Sequence, residues 1–386
     1  MSGRLLIQSD WNQSIREIGE NTWVSYKSDG NLSIQGKIKS EGLNAQGDPR
    51  VTASTGFEVL QLSKRSIVVQ YTSSEGIVSR QFYAASQTFS IHKKAVKSID
   101  TSEGGLGVST DDDERLIVWT TESGDIRRSL NEQDGHFGDI NNCKFFPSGL
   151  VLLTAGADTR LKIWSIEDGR CGATLTGHKA GVLDTAIVER GKNIVSSSRD
   201  GTVKLWHVGT QTILHSFQPE GGCVNSCTVC GPKSESISED NKEFGTDGKL
   251  LFVGGENGRI VGYDMAQREK IFDIMHNSAS NCISTFNENL LCSGFQDGSI
   301  VFYDLRNLNS PLRKIYSGRG SILASKLHSK NMFFSNSDGS VFGINEQFEN
   351  VAELTGSECD PIYSLSSDGT YLYSSCRDGT IRKYQI

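Results

Sequence analysis

The chain has 386 residues, 36% of them hydrophobic and 22% charged, enough apolar material for a sizeable folded core. Its formal charge of −7 argues against nucleic acid or an anionic membrane as partner, since both reward clustered Lys and Arg. Gly is abundant (41) and Pro scarce (6), as suits a β-rich chain with many tight turns.

In chain order, residues 1–11 lack the apolar stretch of a secretory leader, and no apolar run approaches the roughly 18 residues of a membrane span. The nine cysteines are odd in number and irregularly spread, which fits reduced, mostly buried thiols. The expectation is a cytoplasmic protein, with the nucleus as a second compartment. Residues 10–18 read as a short helix capped by Ser9 or Asp10. Residues 23–26, 32–39 and 57–71 read as strands, with Ser28-Asp29-Gly30-Asn31 as a hairpin turn. Residues 1–85 are therefore expected to form a small, mostly β domain packed on the rest. An irregular extension is the alternative.

Beyond residue 85 a pattern repeats: a turn pair, then a short apolar strand ending in a large residue. It runs from Asp113-Glu114 to Trp119, Asp158-Thr159 to Trp164, Asp200-Gly201 to Trp206 and Asn257-Gly258 to Tyr263. It continues from Asp297-Gly298 to Tyr303, Asp338-Gly339 to Ile344 and Asp378-Gly379 to Tyr384. The starts are 45, 42, 57, 40, 41 and 40 residues apart. A period of 40–45 is that of WD repeats, with four strands per blade. Asp-Gly is a hairpin turn signal, because Gly tolerates positive φ and Asp bonds nearby backbone. The fold class read from this is all-β, a seven-bladed WD-repeat β-propeller over residues 86–386. The long interval contains the polar stretch 231–249, expected to be a disordered insertion between the first two strands of the fourth blade, on the bottom face.

Gly135-His136 and Gly177-His178 precede two of the turns, and His92 and His276 take equivalent places. In WD repeats such a His bonds a Ser or Thr, the turn Asp and the strand Trp. The second blade offers His136, Thr154, Asp158 and Trp164; the third offers His178, Ser196 or Ser198, Asp200 and Trp206. A closed tetrad satisfies all these buried polar groups together. A Ser-His-Asp enzyme is a poor reading, since a set that recurs is scaffold. The last blade lacks an outer strand, and residues 88–91 are expected to supply it, leaving no free edge.

Little else suggests chemistry. Cys223, Cys227 and Cys230 have metal-like spacing but no nearby fourth ligand, so they read as buried thiols. Asp111-Asp112-Asp113-Glu114 lacks the Gly and the bidentate Glu of a calcium loop. Neither a catalytic residue, a metal nor a cofactor is expected. What remains is the top rim. Its candidates are the acids Asp112, Asp139, Glu256, Glu358 and Asp360, with Arg199, Arg377, Lys97, Phe137 and Tyr363 on the same face. Clustered acid on a rigid rim suits a basic protein partner.

Several stretches resemble the proteasomal ATPase-associated factor family. They include Phe145-Phe146-Pro147-Ser148-Gly149-Leu150, Leu183-Asp184-Thr185-Ala186-Ile187-Val188, Ser198-Arg199-Asp200-Gly201-Thr202, Cys359-Asp360-Pro361 and Cys376-Arg377-Asp378-Gly379. The resemblance spans most of the chain except 231–249. It implies a non-enzymatic chaperone, monomeric on its own, for assembly of the base of the proteasome regulatory particle. Such a protein binds the C-terminal domain of a proteasomal AAA ATPase through the top of the propeller and delays docking on the core particle. The alternative is a substrate receptor or scaffold for a ubiquitin ligase or another complex.

Overall fold

The computed structural model describes residues 3–28, 31–44, 47–74, 76–130, 135–232, 243–307 and 309–386. The repeats fold into four-stranded antiparallel units spanning 96–130, 140–175, 182–217, 224–275, 280–316, 322–354 and 362–384 with 87–89, hereafter blades one to seven. Their local geometry follows the turn pairs. The residue after each turn Asp or Asn has φ between 62° and 84°, at Glu114, Thr159, Gly201, Gly258, Gly298, Gly339 and Gly379. Five of the seven are glycine, which alone adopts that region without strain. Glu114 and the β-branched Thr159 are held there by the hairpin around them.

No blade has a core of its own. The second strand of the third blade, Asn193–Ser198, is buried at every residue because both of its faces are covered. Hydrophobic clusters lie between neighbouring blades. One joins blades one and two through Leu116, Val118, Phe145 and Trp164, and the next joins two and three through Leu153, Leu161 and Trp206. The series runs on between three and four, four and five, five and six, and six and seven. It returns to the start with Tyr373 and Ile381 of blade seven against Val96 and Trp119 of blade one. The large residue that ends each sequence pattern always falls in the core shared with the preceding blade. A repeat that buries its apolar face only against its neighbour is stable only in a stack, and a closed ring leaves no unstacked face.

The strand that completes blade seven is Gln87–Phe89, slightly earlier than 88–91. It pairs antiparallel with Ile381–Tyr384, placing Phe89 opposite Ile381. Both Ser86 N–H and Ser86 Oγ–H donate to the Lys383 carbonyl, at 2.7 and 2.9 Å.

The N-terminal region departs from expectation in three ways. The helix is a single turn, Trp11–Ser14, and Asp10 caps it without a side-chain hydrogen bond. Asp10 Oδ1 instead accepts from Gln8 Nε2 at 2.7 Å, and Ser40 Oγ donates to the Ile15 carbonyl at 2.7 Å where the helix stops. Residues 57–71 form two strands of a hairpin, Phe57–Leu62 and Ser66–Ser73, because Ser63 and Ser66 bond each other and close a turn. Finally, Arg4–Ile7, Asn21–Lys27, Ile34–Leu43 and Pro49–Ala53 make one four-stranded sheet, but the following three strands do not simply rest on the ring. Gly76–Tyr83 pairs in parallel with the outer strand of blade six, Glu353 opposite Phe82 and Leu354 opposite Tyr83, extending that blade to seven strands. The turn at 28–31 lies partly outside the described residues.

Of the stretch 231–249, residues 233–242 lie outside the described residues. The remainder is docked rather than loose. Lys192 Nζ lies 3.9 Å from the centre of the Phe244 ring, and the buried Lys249 pairs with Glu189 at 3.3 Å.

Candidate functional site

Among the described residues, three blades carry complete tetrads. In blade two, His136 meets Asp158 at 2.9 Å and Thr154 at 2.8 Å, and Trp164 Nε1–H donates to Thr154 Oγ1 at 2.9 Å. In blade three, His178 meets Asp200 and Ser196, each at 2.8 Å, and Trp206 Nε1–H donates to Ser196 Oγ at 2.8 Å. The hydroxyl is thus Ser196 and not Ser198, whose side chain turns to the Ala180 and Gly181 carbonyls. In blade one, His92 meets Ser109 at 2.6 Å and Asp111 at 2.7 Å, with Trp119 on Ser109 at 3.1 Å. Here the carboxylate comes from Asp111, two residues before the turn Asp113. The equivalent of Asp111 in blade two is Gly156, where a Cβ would lie 2.4 Å from His136 and 2.5 Å from the Asp158 carboxylate. Only one of the two positions can therefore fill the site. His276 belongs to no such set, since its Nε2 meets the Tyr303 hydroxyl.

Burial pushes the His92 and His178 pKa values down, against the upward pull of their carboxylates. Burial alone would raise Asp158 and Asp200, but their hydrogen bonds outweigh it. Asp158 falls below the usual range and Asp200 reaches about 2. In each case the folded value lies below the unfolded one, so the unfolded chain binds more protons on acidification and stability falls with pH. The histidine part of that stability is complete above the ordinary value of 6.5 and is lost as pH drops below it. The aspartate part goes between the ordinary 3.8 and about 2. The urea midpoint should accordingly decline from pH 7.5 to pH 5. A midpoint that stays flat over that interval would contradict neutral, buried imidazoles.

The turns themselves follow one backbone pattern in all seven blades. In each blade the residue just before the turn donates its N–H to the carbonyl just before the innermost strand, at 2.8–3.2 Å. The donors are Asp112, Ala157, Arg199, Glu256, Gln296, Ser337 and Arg377. One residue inside each innermost strand the register shifts by a bulge, at Lys97, Asn141, Leu183, Asn225, Asn281, Leu323 and Tyr363. Bulges re-aim side chains. Asn141, Asn225 and Asn281 use theirs to bond the first carbonyl of the next blade's inner strand, at 2.7, 3.0 and 2.8 Å.

The expected rim residues lie at the turn-preceding positions and around the starts of the innermost strands, and they are not one acidic cluster. The ring of seven turn-preceding positions is charge-balanced, with Asp112 and Glu256 against Arg199 and Arg377. Asp112 is matched by Lys97 at 3.0 Å, and Lys97 also lies 5.2 Å over the half-buried Tyr363 ring. Arg199 and Glu256 flank Cys223, which reaches the Arg199 carbonyl at 3.5 Å. A hydrogen bond to Glu256, then burial, raises the Cys223 thiol pKa. Asp139, Glu256, Glu358 and Asp360 form no ion pair with a described residue, and all but the partly buried Asp360 are exposed. Phe137 is 76% exposed beside Asp139. Arg377 is exposed and held through its backbone to Pro361.

Sequence reasoning missed the N-terminal contribution. Ser9 Oγ reaches Glu358 at 3.4 Å, and Asp10 and Asp338 line the same cleft as Glu358. Trp11, fully buried, donates to Thr355 at 3.0 Å and anchors the segment there. Nothing in residues 1–85 repeats, so no periodicity pointed to this contact.

Side chains of the innermost strands bind the blades to one another. Asp184 Oδ1 accepts from Lys144 and Asn142, at 3.0 and 3.1 Å, and Oδ2 from the Cys227 amide at 3.0 Å, so it stitches blades two, three and four together. Among the described residues no three His, Cys, Asp or Glu side chains are placed to hold a metal, and no helix is long and apolar enough to cross a membrane. Cys227 is buried and its thiol is pushed up by burial, while Cys223 and Cys230 are partly exposed.

Comparison with known proteins supplies the family. The "WD domain, G-beta repeat" family matches residues 127–165, 169–207 and 348–385. Proteasomal ATPase-associated factor 1 of Gallus gallus and that of Homo sapiens are each 38% identical over 395 residues, covering 100% of this chain and 99% of theirs. The 26S proteasome regulatory subunit RPN14 of Saccharomyces cerevisiae is 34% identical over 243 residues, covering 55% of this chain and 58% of its own. With more than a third of its residues identical along its whole length, a ring of WD blades and an N-terminal region included in the match, the chain belongs to the proteasomal ATPase-associated factor 1 family.

Proposed function

We propose that this protein is a non-enzymatic chaperone for assembly of the proteasome regulatory-particle base. It binds the C-terminal domain of a proteasomal AAA ATPase through the top of the propeller and delays docking on the core particle. It acts as a monomer in the cytoplasm, with the nucleus as a second compartment. The observation that carries this reading is a set of carboxylates without ion pairs, Asp139, Glu256, Glu358 and Asp360, on loops fixed by the repeated backbone bonds. Rigid loops lose little entropy on binding, and unscreened carboxylates attract a basic surface over about a Debye length, roughly 8 Å at physiological salt. The names of the full-length relatives point to the same partner.

The test is binding of purified ATPase C-terminal domain to the protein and to its Glu256→Lys/Asp360→Lys double variant. Both positions are on the surface of the ring, so the variant should keep its circular dichroism spectrum and melting temperature. Affinity should fall by about 10-fold or more, corresponding to about 1.4 kcal/mol, and wild-type binding should weaken as salt rises. Unchanged affinity in the double variant would remove these residues from the interface. Absence of binding by the wild type to every ATPase C-terminal domain would remove the partner.

A further inference from the structure

Between the N-terminal sheet and blade six lies an open cleft of about 190 Å³, room for a small ligand or for one charged group of a larger one. Four cationic side chains line it, Arg4, Lys27, Arg80 and Arg319, against one carboxylate, Glu353. Three positive charges are left in excess on a protein whose formal charge is −7. The four residues arrive from distant parts of the chain. Arg4 and Lys27 stand on the N-terminal sheet, Arg80 on the strand added to blade six, and Arg319 on the loop that enters that blade.

The single carboxylate is already committed. Arg319, only 5% exposed, donates to Glu353 Oε1 at 2.6 Å, and Asn350 donates to the same oxygen at 3.1 Å. The Arg319 guanidinium also lies 5.5 Å over the Phe342 ring, which fixes its plane. Arg4 is oriented by a 2.7 Å bond to the Gly318 carbonyl. Arg80 differs from both. It forms no ion pair with a described residue, and its Nη1 donates to the carbonyl of its own neighbour Ser79 at 2.7 Å. Burial pushes its pKa down, Glu353 opposes that, and the like charge of Arg319 adds to the lowering. A partly buried guanidinium beside other cations is unfavourable unless an anion completes the set, and a guanidinium presents its donors in a fork that fits phosphate or carboxylate oxygens.

We propose that this cleft binds a small polyanion, a molecule bearing phosphate groups or clustered carboxylates, and that Arg80 is the principal guanidinium that receives it. Because its walls come from the N-terminal sheet and from blade six, the bound anion clamps the two together. The site adjoins the cleft lined by Asp10 and Glu358, sharing Arg4, Arg319 and Glu353 with it, whereas Lys27 and Arg80 belong to this site alone.

The probes are pyrophosphate, inositol hexakisphosphate and citrate, titrated into the full chain by calorimetry at constant ionic strength, with melting curves alongside. The expected result is saturable binding of at least one probe at a single site, with a rise in melting temperature. Phosphate and carboxylate preference is read from citrate against the two phosphates. Arg80→Gln should weaken binding at least 10-fold while leaving ATPase binding unchanged. The exposed Lys27→Gln should weaken it less, and it provides the reading if Arg80→Gln fails to fold. No saturable binding of any probe at millimolar concentration would overturn the proposal. Equal affinity in the variants and the wild type would overturn it as well.

Discussion

Replacing Trp206 with alanine is expected to destabilise the protein by about 3–5 kcal/mol, the usual cost of emptying a large aromatic site. Trp206 is fully buried in the core between blades two and three, against Leu153, Leu161 and Ile194. Its indole N–H also meets the Ser196 hydroxyl, which in turn meets His178. Removing the ring therefore opens a cavity and takes one partner from a buried network. Trp206→Phe separates the two effects. It retains most of the volume and forfeits the hydrogen bond, so its loss should be nearer about 1–2 kcal/mol. Urea unfolding midpoints of the two variants check this. If alanine costs no more than phenylalanine, the ring is not packed as described.

The second large effect concerns ring closure. A chain beginning at residue 90 lacks the outer strand of blade seven and all the N-terminal strands, and it is expected not to form a cooperatively folded monomer. Without Gln87–Phe89 the strand Ile381–Tyr384 becomes an open edge, a template for association between chains. Phe89, 4% exposed and 5.1 Å from the Trp119 ring, leaves the core between blades seven and one. That side chain alone is worth about 3–5 kcal/mol, a large part of a typical domain's net stability. A chain beginning at residue 84 keeps the closing strand and loses the N-terminal sheet and the extension of blade six. It should fold, with a lower melting temperature. Size-exclusion chromatography and thermal melts of the two truncated chains make the comparison. A 90–386 chain that melts cooperatively within a few degrees of the full-length protein would show that the closing strand is dispensable.

The distribution of charge on the top face bears on how a basic partner would be recognised. Sequence position alone suggested five equivalent acids. In the structure Asp112 is matched by Lys97, and Arg199 and Arg377 occupy the same ring as Glu256. The carboxylates without ion pairs sit mainly on the loops between blades, at Asp139, Glu358 and Asp360, and the N-terminal segment adds Asp10 beside Glu358. A partner that reads this face meets an uneven rim, denser in acid where blades six and seven meet residues 9–11. Unevenness of this kind fixes orientation as well as attraction.

What the sequence by itself determined was whatever depends on neighbours within one repeat. The turn pairs, the six-residue offset to the large core residue, the blade-two tetrad, the blade-three tetrad up to the choice between Ser196 and Ser198, and the missing outer strand all follow from spacing. Backbone conformation at a turn and alternation along a strand are local, and the period then repeats them. Apart from the closure of blade seven, the tertiary structure decided what joins distant segments. Whether Asp111 or Asp113 completes the first tetrad depends on which carboxylate packing turns inward, and both are compatible with the same turn. The parallel pairing of Gly76–Tyr83 with blade six, the anchoring of Trp11 on Thr355 and the meeting of Arg4, Lys27, Arg80 and Arg319 join residues up to 344 positions apart. No periodicity encodes such contacts, because they arise from which apolar surfaces remain uncovered once the ring has closed.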